Sequence, residues 1–486
     1  MSSRAVGLFA GVVMLMAIGA GKAWGQPDSL WWKTYGGRAG DACNSLIQTT
    51  DGGFAMAGLT ASFRVGNDTD AWLLKTDAAG DSLWARAYDR GGFDLATSVV
   101  QTTDGGFAIA CSQMPDPSDF SLIRTDEFGN VLWSFSYDRA YFDVCKSLIQ
   151  TSDGGFALAG STGPSDYFDA NRDFWLVRTN DAGEVVWSRS YGTPAVEDCY
   201  SVIQTNDGGF VMVGETRPLE TYRSDFWIVK ADVNGDSLWS RMSGVEGGDW
   251  SRDVVQTSDG RLAIGGHGGT FTKSGMQLAV MNANGDSLWS RVYGGGNGSW
   301  DNCSSLIQTI DGGFSLAGYS GSYGEGGGFW LMQTSPNGDS LWSRGFPVGP
   351  AVCNSHIQMP DGRFVLAGDL YRHNINEHDF LLVETGTDPL GLTDHPIFAV
   401  SSGFAASSFP SPFNSSLSIS YSSPTNAPLL ISLVDLNGRT LEQNWLPGTS
   451  FSKGVATIGT TALPSGNYFV IVGGKDGAVM PVRCLK

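Results

Sequence analysis

Six acids hold one position of a recurring unit: Asp41, Asp94, Asp143, Glu197, Asp249 and Asp301 each lie seven residues before a repeated Gln, and Ala351 takes that place in a seventh copy. Carboxylates gathered around one opening repel one another unless neutralised, so a ring of this kind could hold a hard cation such as Ca²⁺ or a cationic ligand. The competing use is structural: an acid next to a turn accepts backbone N–H bonds in its own loop. Faithful copying from unit to unit favours the structural use. The other chemical signals are thinner. Turns such as Asp232-Val-Asn-Gly-Asp236 look like calcium loops but lack the length and closing Glu of an EF-hand. His373, Glu377 and His378 occur in one copy only. No G-x-S-x-G, H-E-x-x-H or phosphate-binding loop is present. A glycosidase pair cannot be picked from 49 acids by sequence alone.

The unit that carries these acids is written around Gln101-Thr-Thr-Asp-Gly-Gly-Phe107. Its Asp recurs at Asp51, Asp104, Asp153, Asp207, Asp259, Asp311 and Asp361, with spacings of 53, 49, 54, 52, 52 and 50 residues. Apolar runs flank each Asp-Gly, which is the local signature of a β-hairpin whose turn needs φ > 0. Arg261 and Arg363 replace the second Gly, so the Asp and the first Gly are the fixed part. Four short strands, a to d, follow one another in each unit. In the fourth they are Tyr200–Thr205, Phe210–Gly214, Asp225–Lys230 and Ser237–Arg241. They are too short and too rich in β-branched and aromatic residues for helices.

Seven such units predict an all-β, seven-bladed β-propeller with four strands per blade. The seventh unit lacks its strand d, whereas the segment ending Leu30-Trp-Trp-Lys-Thr-Tyr35 is a strand d with no unit before it. The spare strand is expected to fill the vacancy and close the ring, which removes two open sheet edges. Strand d also carries Trp31, Trp84, Trp133, Trp187, Trp239, Trp289 and Trp342, and two residues later Lys33, Arg86, Phe135, Arg189, Arg241, Arg291 or Arg344. Period-two spacing puts each pair on one face, cation against indole, and repetition in every unit points to blade-to-blade packing rather than sugar stacking.

Composition fits this architecture: 66 glycines, 12% aromatics and only 16% charged residues. A formal charge of −19 argues against nucleic acid or an anionic membrane as partner. Residues 1–25, with Arg4, an apolar run and small residues before Gln26, are expected to be a secretory signal peptide, leaving no transmembrane segment in the mature chain. The cysteines do not suggest a disulfide framework. Cys43, Cys145, Cys199, Cys303 and Cys353 share a slot that Ala96 and Ser251 fill elsewhere, so the slot requires small size.

After Glu384 the periodicity ends. The expected domains are a propeller over 26–387, a linker over 388–408 and a small Ig-like β-sandwich over 409–486. Within the last, Phe409-Pro-Ser-Pro-Phe-Asn414, Asp435-Leu-Asn-Gly-Arg439, Leu463-Pro-Ser-Gly-Asn-Tyr468 and the terminal Leu485-Lys486 resemble, in order and spacing, the C-terminal sorting domain of type IX secretion substrates. The resemblance implies a Gram-negative bacterium, Sec export, passage across the outer membrane by the type IX machinery, and removal of the domain with release or surface attachment. Cys484 departs from the apolar residue usual there. The repeats also look like Asp-Gly-Gly-aromatic repeats of large secreted bacterial proteins, a likeness that brings no activity with it.

The expected function is therefore a secreted or cell-surface, non-catalytic binding or scaffold propeller, with a glycan or protein as ligand and no obligatory cofactor. The alternative is a secreted polysaccharide hydrolase or lyase that draws acids from the channel mouth. Specificity is expected in blade-specific loops: 63–69, 163–172, 217–223 and 371–378.

Overall fold

The computed structural model describes residues 29–386, apart from 67, 115–117, 166–170, 219–222, 245–247, 271–272, 295–300, 322–326, 347 and 373–376, and then the strand backbones between 405 and 485. The expected signal peptide, and the linker apart from its last residues, lie outside this set.

Each repeat begins its hairpin with one turn design. In the first, Thr49 N donates to Gly53 O (2.9 Å), Gly52 N donates to Thr49 O (2.8 Å) and Thr49 Oγ1 donates to Asp51 (2.5 Å). The two glycines have different reasons. Gly52 has φ +86° with nothing within 4 Å of an added Cβ, so its conformation alone requires Gly. Gly53 leaves room: a Cβ there would lie 2.2 Å from Thr76 O and 2.8 Å from Lys75 Nζ. That space lets a strand-c cation reach the turn Asp. Lys75 meets Asp51 (2.9 Å), Lys230 meets Asp207 (2.8 Å), and Arg124 and Arg178 fork onto Asp104 and Asp153. In the sixth repeat Gln333 donates to Asp311 (3.0 Å). The two exceptions follow the same logic. Where strand c offers Val280 or Glu384 instead of a cation, Arg261 and Arg363 bring the guanidinium from the second-Gly position to Asp259 (2.8 Å) and Asp361 (2.7 Å). Arg363 also pairs with Glu384.

Twenty-eight strands form seven antiparallel four-stranded sheets. The fourth blade runs Val196–Gln204, Phe210–Arg217, Asp225–Ala231 and Ser237–Ser243. In the last blade, Ala351–Gln358, Phe364–Arg372 and Glu377–Thr385 are joined by Ser29–Tyr35, which pairs Trp31 with Glu384 and Tyr35 with Phe380. The spare N-terminal strand thus closes the ring. Each strand a touches strand a of both neighbouring blades, the last touching the first, so these strands line the centre.

Three hoops of side chains tie the blades together. At the centre, a Ser on strand a accepts an N–H from strand a of the next blade: Val99 to Ser45 (3.2 Å), Val202 to Ser147 (3.2 Å), His356 to Ser305 (3.3 Å) and, across the closure, Leu46 to Ser355 (3.2 Å). At the hairpin turns the repeated Gln accepts from the preceding blade, as Gln204 does from Ser152 N (2.8 Å). At the closure the equivalent donor position is Pro360, which has no N–H to give Gln48. On the outside, the strand-d Trp covers the c–d turn of the next blade: Trp84 lies against Gly129 and edge-on to Phe107, and Tyr88 donates to Gly129 O (3.0 Å). Trp31 and Tyr35 make the same contacts to Phe54 and Gly80 across the closure. Lys33, Arg86, Arg189, Arg241 and Arg291 lie 5.3 to 6.0 Å from their indoles. The Trp ladder is therefore a seam. The small-residue slot is a seam too, with Cys43, Cys145, Cys199, Cys303 and Cys353 free and fully buried.

The tail strands form two antiparallel sheets, of three strands (Ala405–Phe409, Ser416–Ser422, Lys453–Gly459) and four (Thr440–Leu446, Leu429–Asp435, Asn467–Gly474, Val479–Leu485). The first of these begins inside the segment expected as linker. The side-chain packing that would make the two an Ig-like sandwich lies outside the described residues.

Removing residues 26–36 strips the last blade of its outer strand and should lower the propeller's melting temperature by many degrees; an unchanged melt would contradict closure by this strand. The turn clamp has its own test. Val280→Lys alone should be strongly destabilising, because it buries a charge beside Arg261, and Arg261→Gly should relieve it by roughly 1 to 3 kcal/mol in a double-mutant cycle. Additive effects on the unfolding free energy would show that the two positions do not share the turn Asp.

Candidate functional site

The acid ring resolves into separate loop anchors. Four members accept an N–H from the residue four positions upstream: Asp41 from Gly37 (2.9 Å), Asp94 from Arg90 (2.8 Å), Asp143 from Arg139 (2.7 Å) and Glu197 from Thr193 (3.3 Å). Asp249 accepts from Gly269 N (2.9 Å), while Thr60, Thr216 and Ser320 hydroxyls donate to Asp41, Glu197 and Asp301. All six are buried, none more than 2% exposed. Asp41, Asp94, Asp143 and Glu197 thus hold the crossing from strand d of one blade to strand a of the next, while Asp249 and Asp301 are tied to strand b of their own blades. Among the described residues, acids whose oxygens come within 4.8 Å of one another in threes are Asp68, Asp70 and Asp89, and Asp119, Asp138 and Asp143. Asp143 is the single ring member there, so the ring is not gathered onto one ion. Glu377 and His378 stand in strand c of the last blade, with His378 against Tyr371 at 5.1 Å, while His373 lies outside the described residues. Much of the expected specificity loops also lies outside them.

The chemically distinct surface lies one residue beyond the small-residue slot. Strand a has a bulge there, as between Cys199 and Ser201, which puts an extra residue on the inner face. Burial along Trp250–Gln256 alternates accordingly: Ser251 and Val254 point into the blade, whereas Trp250 and Arg252 are part-exposed toward the channel and the Asp253 carboxylate bonds Ser201 Oγ (3.0 Å) and Leu306 N (2.8 Å) of the neighbouring blades. The bulge position is Asn44, Thr97, Lys146, Tyr200, Arg252, Ser304 and Asn354 around the ring. It varies while its neighbours repeat, and its charged and aromatic members fall together on blades 3 to 5.

These side chains form one cluster. The Arg252 guanidinium sits 4.0 Å from the centre of the Tyr200 ring. Tyr200 OH donates to Glu215 Oε1 (3.1 Å), and Arg172 forks onto Asp198 (Nε–Oδ1 3.0 Å, Nη2–Oδ2 2.6 Å). Both acids therefore have partners. Lys146 and Arg252 form no ion pair with any described residue. Burial, then the neighbouring Arg252 charge, pulls the Lys146 ammonium below the ordinary lysine range, with Asp198 opposing. Burial pushes the Tyr200 phenol up, so it stays a hydrogen-bond donor at any physiological pH. Trp250 stacks on His267 at 4.2 Å with 17° between the rings, and His267 Nδ1 lies 2.8 Å from Asp301 O. Such an arrangement can bind and orient a charged or ring-shaped group. Elsewhere, a hollow of about 420 Å³ opens where the closing strand meets the first blade, lined by Tyr35, Phe63 and Trp72, but it gathers no comparable set of polar groups.

Residues 407–481 match the secretion system C-terminal sorting domain. The chain accordingly carries a type IX sorting tail behind a propeller: it is exported by that system, to the cell surface or beyond it, and engages the secretion machinery through the tail. No curated protein matches the chain. Among solved structures it is similar to a protein of unknown function from Dyadobacter fermentans (10% identity over 73% of this chain and 98% of that one, TM-score 0.43). It is similar also to the polysaccharide lyase Uly1 (11%, 75% and 92%, TM-score 0.45) and to PorZ, a surface component of the type IX secretion system of Porphyromonas gingivalis (10%, 90% and 69%, TM-score 0.34). Among the described residues no helix is long and apolar enough to cross a membrane.

Buried acids set the pH response. Burial raises Asp94, Asp253 and Asp379 to about 6 and Asp369 to about 7, above their unfolded values near 4. A raised pKa stabilises the fold below the unfolded value and loses that contribution as pH climbs through the folded one. The turn acids Asp51, Asp207 and Asp259, at about 2, act the other way and lose their contribution only as pH falls from about 4 toward 2. The propeller should therefore melt higher at pH 5 than at pH 8, and Asp369→Asn should flatten that slope. A melting temperature that rises from pH 5 to 8 would contradict the assignment.

Proposed function

We propose that the propeller is a non-catalytic binding module working outside the cell or on its surface, that it takes a glycan or protein ligand on the channel wall of blades 3 to 5, and that the tail is a secretion address rather than part of the working surface. The observation that supports this most is the bulge position. A ring of near-identical blades departs from its own pattern there, placing Lys146, Tyr200 and Arg252 on adjacent, part-buried positions of the inner wall. The repeated acids support it from the other side, since each is buried and accepts a hydrogen bond from the scaffold. Any role for Ca²⁺ is structural in this reading, at the loop crossings. A competing reading, a polysaccharide hydrolase or lyase, draws on the lowered proton affinity of Lys146, which suits a general base.

The two readings part in one experiment. The purified full chain, with and without Ca²⁺, is applied to a glycan array and incubated with the same polysaccharides while released sugar ends are followed. The binding reading expects capture without release. Release that disappears in Lys146→Met, or on replacing one or two of Asp41, Asp94, Asp143, Glu197, Asp249 and Asp301, would overturn it in favour of the enzyme.

A further inference from the structure

We infer that the channel site is a receptor for an acidic sugar residue: Lys146 and Arg252 take its carboxylate or sulfate group, and Trp250 takes the apolar face of its ring. This rests on the binding reading above and narrows it to one ligand class.

The argument begins with an electrostatic mismatch. A chain with a formal charge of −19 and 49 acids has ample means to neutralise its cations. At the repeat turns it does so each time strand c supplies one, as with Lys75 and Asp51. On the inner wall it does the reverse. Lys146 and Arg252, on blades 3 and 5, act on each other as like charges across Tyr200, and neither pairs with a described acid. The acids nearby are engaged by other groups, Asp198 by both forks of Arg172, Glu215 by the Tyr200 hydroxyl, and Asp253 by Ser201 Oγ and the Leu306 and Val254 N–H groups. Held like charges cost free energy in the empty protein, and an anion seated between them removes that cost. Arg252 is also held in place, because its guanidinium lies over the Tyr200 ring at 4.0 Å, and its N–H groups form no ion pair with a described acid and can take a carboxylate or sulfate.

A sugar rather than a bare anion is indicated by what stands beside the cations. Trp250 is two residues before Arg252 on the same part-exposed face of strand a. His267 backs one side of its indole, so the ring is pre-positioned and loses little freedom when a flat apolar surface covers it. Asn302, on the next blade at the level of Trp250, accepts the Tyr319 N–H with its Oδ1 (3.3 Å), which leaves its NH₂ group to donate to a sugar hydroxyl.

The test measures affinity of the full chain for three soluble polysaccharides: a neutral glucan, a polyuronate and a sulfated galactan. Acidic polymers should bind, with affinity falling as salt rises, and the neutral one should not. Lys146→Met and Arg252→Met should each weaken binding roughly 10- to 100-fold, while Lys146→Arg keeps most of it. Melting temperatures of these variants should stay near that of the parent, which separates loss of ligand from loss of fold. Comparing polyuronate with sulfated polymer tells which anionic group is taken. Capture of the neutral glucan, or acidic capture indifferent to both Met variants, overturns the acidic-sugar inference while leaving a binding module intact. Failure to bind any of the three also overturns it, and the binding reading falls with it only if the glycan array is blank as well.

Discussion

A blade of four short strands cannot bury both of its faces, so the contact between one blade and the next is the constraint on which this molecule depends. The sequence answers it with side chains that reach forward around the ring. Trp84 lies on Gly129 and beside Phe107, Tyr88 bonds Gly129 O, and Val99 donates back to Ser45. The same contacts recur where the N-terminal strand, completing the last blade, presents Trp31 and Tyr35 to the first. Closure is thus one more seam, distinguished mainly by Pro360, which withholds an N–H that other turns provide.

Repetition and function divide the chain between them. Residues copied in nearly every blade are used within the blade or at its seam: the turn Asp receives a cation, the ring acid holds a loop, the small slot packs. Even departures from the pattern keep the contact, as Arg261 and Arg363 do by supplying the charge that strand c lacks. Against that background, Lys146, Tyr200 and Arg252 stand out because their neighbours in the ring, Asn44, Thr97, Ser304 and Asn354, are small and polar. The inner face of three blades differs from the rest by charge and aromaticity, on a scaffold otherwise close to sevenfold.

Much of the scaffold was legible in the sequence because its signals are local or periodic. Asp-Gly specifies a turn by its own backbone requirement, the strand-d Trp shows itself by returning in all seven copies, and the missing strand could be counted. The four sorting motifs identified the tail. The candidate site was not legible for the opposite reason. Lys146, Tyr200 and Arg252 lie about fifty residues apart, share no residue type, and meet only through a bulge that turns one extra side chain inward, a feature with no mark of its own in the sequence. A signal was present, since a position that varies between an invariant small slot and a repeated Ser invites comparison across blades. The acid ring drew attention because it repeats, and repetition marked structure. The Arg261 and Arg363 exchange was visible only as loss of Gly, because the compensating change, at Val280 and Glu384, lies on another strand.

The central claim is that ligand is held by the unrepeated face of blades 3 to 5. Hydrogen–deuterium exchange of the full chain, free and saturated with the acidic polysaccharide it captures, addresses that claim most directly. The account predicts slowed exchange in 142–150, 196–204 and 250–256, with blades 1, 6 and 7 unchanged. Protection spread evenly over all seven innermost strands, or confined to the outer strands, would contradict it.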